Sequence, residues 1–465
     1  MTGFADAFSA YASRPCLREP DSTLTYAEAL ALGREIVGSL PRERALVMLR
    51  CSLTTPSVAV YMALLADGHV PLLLEASLAD ALLDGLAELY RPDVILDPAS
   101  GEHSVSATAP VALHTDLGLL LTTSGSTGSP KLVRLNASGV VANAQAIAAY
   151  LGLSESERPL LHLPMSYSYG MSIINSHLMV GASICLTQKS VMEPGYWEEL
   201  RSHEATSIAG VPFHYMAIRR LGEKGLDIPS LKTLTQAGGR LDPKIIAFFA
   251  EWAGRTGRRF FVMYGQTEAG PRIAYLPPDK AAETPDAIGV PIAGVTIDLV
   301  DDTGAPVAEG AQGAMVVRGP SVMLGYAQGA DDLARGDDLG GVLHTGDLAV
   351  RGEDGLLRIT GRAARMLKIY GLRVNLEEID RRLADLGHSA VAFGTDDALR
   401  ILVEGEADSQ RVREQVVELF SLPPRGIEVR CCPGIARSAT GKIAAAALTV
   451  AWDTAGQAAT AGSAA

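Results

Sequence analysis

The sequence predicts an α/β protein in which a large N-terminal domain of α/β layers with a β-rich subdomain precedes a small α+β C-terminal domain. Three observations carry this expectation. Helical patterns alternate with short apolar runs from Thr25 to Met263, the texture changes to hairpins after Ile288, and a second, smaller alternation begins beyond Gly361. At 465 residues the chain is also too long for one ordinary core.

Taken in order, Thr25 to Leu40, Pro56 to Ala66 and Leu78 to Tyr90 read as helices, and Ala45–Leu49 and Val94–Leu96 as strands. This is the signature of βα units around a mostly parallel sheet. The runs 182–186, 207–211, 233–236 and 259–263, separated by helical stretches, predict a second layer of the same kind. Turn signals at Asp302–Gly304 and Glu353–Gly355 then mark hairpins. Beyond Gly361, a strand at 366–370, a helix from about Asn375 to Leu386, strands near Ala390 and Ile401, a helix at 411–420 and a strand at 427–430 make the small unit. The expected domains are therefore 1–361 and 362–455, with a disordered tail over 456–465.

With 48% hydrophobic and 20% charged residues the composition is that of an ordinary globular protein, and a net charge of -13 argues against nucleic acid or anionic membranes as partners. The first residues lack a basic region followed by an apolar run, and no apolar stretch approaches the ~18 residues of a membrane span, so the expected location is the cytoplasm. Five cysteines, odd in number and without a C-x-x-C pair, suggest buried thiols rather than disulfides or a zinc site.

One segment concentrates chemistry. In Leu120-Leu-Thr-Thr-Ser-Gly-Ser-Thr-Gly-Ser-Pro-Lys131 an apolar run gives way to hydroxyls, two glycines and a lysine. Gly125 and Gly128 allow the backbone to turn its N–H groups toward an anion, and Thr123, Ser124, Ser126 and Thr127 add hydroxyl donors. The spacing is not that of a Walker loop, because Pro130 stands five residues after Gly125 and Leu132 follows Lys131. The loop is expected to join two strands, with a helix only from about Asn136. Alone, such a loop reads first as a flexible turn.

Three distant segments join it. Phe260–Gly270 is an apolar strand ending in Tyr264-Gly-Gln-Thr-Glu268, His344-Thr-Gly-Asp347 opens a hairpin that closes at Gly361-Arg362, and Ala439-Thr-Gly-Lys442 lies near the C-terminus. In this order the four motifs resemble the adenylate-forming superfamily of acyl-CoA synthetases, peptide-synthetase adenylation domains and luciferases. The resemblance spans roughly residues 25 to 445.

That resemblance implies ATP-dependent activation of a small carboxylic acid with Mg²⁺, followed by acyl transfer to a thiol. Coenzyme A is the preferred acceptor, and a carrier-protein phosphopantetheine or an amine is the alternative. It implies that Thr123 to Gly128 wrap the β- and γ-phosphates, that Tyr264 lies against adenine, that Thr267 bonds the α-phosphate and that Glu268 holds the metal. Asp347 would accept the ribose hydroxyls with Arg362 in support, and Lys131, Gly238, Gly239 and Gly265 would complete the nucleotide contacts. Lys442 would bridge the carboxylate and the α-phosphate, a task suited to a compact, mobile cation. Taken residue by residue, Lys442 also reads as a solvated surface lysine, Glu268 as a helix-start carboxylate and Asp347 as a hairpin cap.

For the second step, Lys368 and Gly371 match the segment that lines the pantetheine tunnel in the family. The expected pivot is Ala364, where relatives usually carry Asp or Lys. Tyr167, Phe213, Gly238 and Met263 are the expected acyl-site residues, although Phe213 reads nearly as well as core packing. Where relatives often carry an aromatic residue and then His, this chain has Ser166 and Tyr167. No Asp stands where amino-acid-activating relatives pair an α-ammonium, which disfavours an α-amino acid. A non-catalytic nucleotide or acyl sensor is the reading from another class, and the retained Lys442, Glu268 and Asp347 weigh against it.

Overall fold

The computed structural model describes residues 2–105, 110–122, 131–369, 372–420, 422–437 and 443–462. It divides into two compact units, Met1–Ile297 with Val317–Leu343, and Asp298–Val316 with His344–Ala465.

The first unit is built on two sheets. One has seven strands, in the order Gly325–Ala327, Leu132–Asn136, Leu117–Thr122, Val70–Glu75, Leu46–Cys51, Val94–Asp97 and Glu102–Val105. Its centre is parallel, and the strands there are apolar on both faces because helices cover both. The other has nine strands, in the order Val290–Pro291, Ala274–Leu276, Arg259–Tyr264, Thr233–Gln236, Ser207–Gly210, Pro159–Leu161, Ile184–Leu186, Pro15–Glu19 and Ser22–Thr25. Helix boundaries follow local chemistry. Thr25 and Glu28 form a reciprocal capping box for Tyr26–Val37, and the Asn136 side chain caps Ala137–Leu151. Helix Thr55–Ala66 is apolar on every face and almost wholly buried, as a helix enclosed by other elements must be.

The second unit carries a four-stranded sheet of Thr296–Val300, Gly313–Arg318, Val342–Arg351 and Leu357–Arg362. After it come the antiparallel pair Met366–Ile369 and Leu372–Asn375, and a three-stranded sheet of Ala390–Thr395, Ala398–Glu404 and Ile427–Cys432. Helices Leu376–Asp385 and Ser409–Phe420 lay their apolar stripes on that last sheet through Ile379, Leu383, Val412 and Val416.

The boundary expected at Gly361 falls inside this unit, for a local reason. Asn375 caps helix Leu376–Asp385 and donates from Nδ2 to the carbonyl of Thr360 at 2.9 Å. A Cβ on Gly361 would collide with that amide, so the end of one strand and the start of the helix are fitted together through glycine. The last helix, Ala445–Gly462, runs past Ala455, where a disordered tail was expected. Its alanine content explains why a segment with little to bury still takes helical form.

Candidate active site

The apolar run before the hydroxyl loop forms strand Leu117–Thr122, and Lys131 leads into strand Leu132–Asn136. The two strands pair antiparallel with Thr122 opposite Leu132. The expected strand-loop-strand context is therefore present, while Thr123 to Gly128 themselves lie outside the described residues.

Around the loop's exit, side chains from three parts of the sequence converge. Strand Gly325–Ala327 pairs antiparallel with Leu132–Asn136 and sets Tyr326 opposite Val133. The Lys131 ammonium sits 3.8 Å from the centre of the Tyr326 ring. The Tyr326 hydroxyl donates to Oε1 of Glu268 at 2.7 Å. Burial, and then the adjacent Glu268 carboxylate, raise the tyrosine's pKa, so the phenol keeps its proton and remains the donor.

Glu268 occupies a 3₁₀ turn, Thr267–Ala269, that follows strand Arg259–Tyr264, and its carbonyl accepts from the N–H of Met323 at 2.9 Å. In the same turn, Thr267 Oγ1 lies 3.0 Å from Oγ of Ser168, the first residue of helix Ser168–Leu178. Tyr264 is held at the strand end, with Gln266 Nε2 donating to its hydroxyl at 3.3 Å. Gly265 has no room for a side chain against the carbonyl of Pro271. Gly238 has φ +84° and lies directly under the Tyr167 hydroxyl, where a Cβ would clash. Gly239 packs on Pro212. Tyr167 and Gly238 are thus brought together as expected.

The acyl-site residues fare unequally. Met263 is buried and its Sδ accepts from the Tyr150 hydroxyl at 2.9 Å. Phe213 is 52% exposed on helix Pro212–Arg220, which excludes core packing as its role.

In the second unit Asp347 and Arg362 face one another across the predicted hairpin. Asp347 is 2% exposed and receives Arg362 Nε at 3.0 Å, with Glu377 at 4.0 Å from the same nitrogen. Lys368 lies in strand Met366–Ile369 opposite Arg373. Ala364 is the middle residue of a 3₁₀ turn, Ala363–Arg365. Gly371 and Lys442 lie outside the described residues.

Sequence reasoning missed Tyr326 and Ser168. Tyr326 is 58 residues from its partner Glu268 and sits in an unremarkable three-residue strand. Ser168 stood in a segment already of interest, next to Tyr167.

The donors at Glu268 suit a small, hard cation. They are oxygens, and no group of three or more His, Cys, Asp or Glu occurs among the described residues. One carboxylate is what Mg²⁺ needs when it keeps several waters and takes its remaining ligands from phosphates.

The architecture is that of adenylate-forming synthetases. ATP-bound MatB from Rhodopseudomonas palustris superposes with a TM-score of 0.79 at 21% identity, covering 96% of this chain and 98% of that one. O-Succinylbenzoate coenzyme A synthetase of Bacillus subtilis, in complex with AMP, gives 0.77 at 20% identity, covering 95% and 96%. The chain belongs to the AMP-binding enzyme family, whose profile matches residues 88–327. A long-chain-fatty-acid–CoA ligase of Salmonella typhimurium is 32% identical over 308 residues, 63% of this chain and 52% of that protein. The chain spans about half the length of the curated relatives it matches first. No helix among the described residues is long and apolar enough to cross a membrane.

Proposed function

We propose that this chain joins a carboxylic acid to AMP at the expense of ATP, releasing pyrophosphate, and then passes the acyl group to a thiol, with coenzyme A preferred. The observation that carries the reading is the convergence of Lys131, Tyr326, Glu268, Thr267 and Ser168 at the exit of the hydroxyl loop.

A carboxylate is a poor electrophile because oxide would have to leave. In the first step a carboxylate oxygen bonds to the α-phosphorus and the bond to the β-phosphate oxygen breaks, so two anions must approach each other. The hydroxyl loop and Lys131 hold the phosphates, and the tyrosine ring beneath Lys131 fixes where its charge sits. Thr267 donates to the α-phosphate, with Ser168 orienting its hydroxyl. Lys442 approaches from the small domain, and Asp347 with Arg362 receives the ribose. Glu268 would hold Mg²⁺, which when bound neutralises phosphate charge. In the second step a thiol sulfur bonds to the acyl carbon, AMP departs and the thiol proton passes to solvent.

Residues 362–455 act as a lid that turns about Ala364, presenting Lys442 for the first step and the Lys368–Gly371 segment for the second. A carrier-protein phosphopantetheine or an amine remains the alternative acceptor. The reaction is placed in the cytoplasm, in keeping with five free cysteines.

The test is product analysis. ATP should yield AMP and pyrophosphate only when a carboxylic acid is supplied, and ADP with phosphate would sink the assignment. Lys442→Ala should abolish adenylate formation yet leave transfer from a supplied acyl-adenylate largely intact, because only the first step brings two anions together.

A further inference from the structure

Two opposite charges stand at the exit of the hydroxyl loop and do not meet. The Lys131 ammonium forms no ion pair among the described residues, and the Glu268 carboxylate accepts from a phenol rather than from a cation. One side chain, Tyr326, touches both. Its ring takes the ammonium at 3.8 Å from the centre, and the hydroxyl on the same ring donates to Oε1 of Glu268 at 2.7 Å.

The arrangement is built into the sheet. Lys131 lies two residues before Val133, the cross-strand partner of Tyr326, so ring and ammonium sit on the diagonal that long side chains span. Glu268 is held twice by the segment that carries Tyr326. Met323 donates its N–H to the Glu268 carbonyl at 2.9 Å, three residues before Tyr326 reaches the carboxylate. The strand itself is fixed in place, because Gly325 fits over the pair of buried Arg134 with Asp338 and leaves no room for a Cβ.

A lysine and a glutamate joined only through one ring would pair if that ring were gone. Lysine is a point charge on a flexible stem, free to turn toward a nearby carboxylate, and a neutralised pair offers little to a phosphate or a metal. Over an aromatic face the ammonium keeps its charge and its N–H donors. A carboxylate that accepts one phenol hydrogen keeps its charge and most of its lone pairs. Tyrosine serves both ends at once, whereas phenylalanine serves one and leucine neither.

Resting on the adenylation reading, we propose that Tyr326 is a positioning residue for nucleotide binding, a spacer that keeps the Lys131 cation and the Glu268 carboxylate apart so that one stays open to phosphate and the other to the metal.

The experiment measures ATP affinity by calorimetry in EDTA, where Lys131 acts without the metal, for wild type, Tyr326→Leu, Glu268→Gln and the double variant. Tyr326→Leu lets Glu268 reach Lys131 and should weaken ATP about tenfold to a hundredfold, the effect of a lost charge-assisted bond. Glu268→Gln should not weaken metal-free binding, and the double variant should return to within about twofold of Glu268→Gln. A packing defect left by the missing ring is not repaired by turning a glutamate into a glutamine. If Tyr326→Leu does not fold by thermal melting, Tyr326→Phe takes its place in the same cycle, since it releases the carboxylate while keeping the ring, with a loss of about threefold or more expected. A double variant as weak as Tyr326→Leu, or a folded Tyr326→Leu that binds as wild type does, overturns the spacer and leaves the adenylation reading standing. A wild type that binds no ATP in EDTA or in Mg²⁺ removes both.

Discussion

Asp347 shows how a single carboxylate can stand out in a sequence and gain its surroundings only in the fold. The motif His344–Asp347 named it, and the hairpin partner Arg362 was expected at the same place. What sequence could not supply was the depth of burial: Asp347 is 2% exposed while the Arg362 side chain is 61% exposed. A buried acceptor held by an exposed donor can exchange part of that pairing for a ligand's hydroxyls. Asp347→Ala should therefore raise the KM for ATP by about tenfold to a hundredfold, since losing a charged acceptor costs about 1.5–3 kcal/mol. Acid preference should be unchanged, and steady-state kinetics with ATP and acid varied separately checks both. Motif residues such as Thr267 and Glu268 were legible because their order along the chain is distinctive. Tyr326 was not, because a tyrosine in a three-residue strand has no pattern, and its bond to Glu268 is visible only in three dimensions.

At the scale of elements, the alternation of apolar runs and helical patterns placed strands Leu46–Cys51, Val94–Asp97, Ile184–Leu186, Ser207–Gly210, Thr233–Gln236 and Arg259–Tyr264 of the first unit and left the others unread. Val70–Glu75 escaped it: Pro71 argues against a central strand, yet it stands at the second position, paired parallel with Val47. Three histidines on these elements give the first unit a pH dependence. His162, at the end of strand Pro159–Leu161, is depressed to about 3, first by burial and then by the neighbouring His214. Nε2 of His162 lies 3.1 Å from Nδ1 of His214, which burial lowers to about 4. His177, in helix Ser168–Leu178, is likewise lowered to about 4 by burial. All three are neutral when folded and take up protons near pH 6.5 once unfolded. The unfolded chain thus binds more protons below that pH, and stability is lost as pH falls from about 6.5 toward about 4. The slope is about 1.4 kcal/mol per pH unit for each histidine involved. Asp380, in the second unit, works the other way. Burial raises it to about 6 despite Arg365, so it favours the folded state as pH falls through 6. Three groups outweigh one, and the urea midpoint for the first unit should drop between pH 7 and pH 5. His177→Gln should flatten that drop, and an unchanged profile would show that the ring already titrates in the native state.

At the scale of the whole molecule, the two roles proposed for C-terminal residues would require one lid to present two faces in turn. The turn at Ala363–Arg365 has its far side fixed, because Arg365 donates to Asp380 and to the carbonyl of Ala392, both at 2.7 Å. Rotation about residue 364 must break the bond from Asn375 to Thr360, which spans the pivot. Proline would lock φ near about -65°. Ala364→Pro should therefore let acyl-adenylate accumulate while thioester formation falls, which single-turnover measurement of each half-reaction would reveal. A folded variant that transfers at the wild-type rate would move the pivot elsewhere. The order of motifs led the sequence to suggest a boundary at Gly361, whereas the fit of Gly361 against Asn375 within the second unit depends on a side chain's reach and was not legible.

Strand Gly325–Ala327 also fixes a schedule for making the protein. Arg134, fully buried, donates to the carbonyl of Leu324 at 3.0 Å, to that of Arg335 at 2.5 Å and to the Asp338 carboxylate at 2.5 Å. The first of these partners is synthesised 190 residues later. At ribosomal speeds of about 5–20 residues per second, roughly 10–40 s pass in which this guanidinium has none of them and the seven-stranded sheet lacks its edge strand. During that interval the nascent chain offers strand Leu132–Asn136 as an open edge, and chaperone occupancy on ribosome-bound chains should be greatest until residue 338 has emerged.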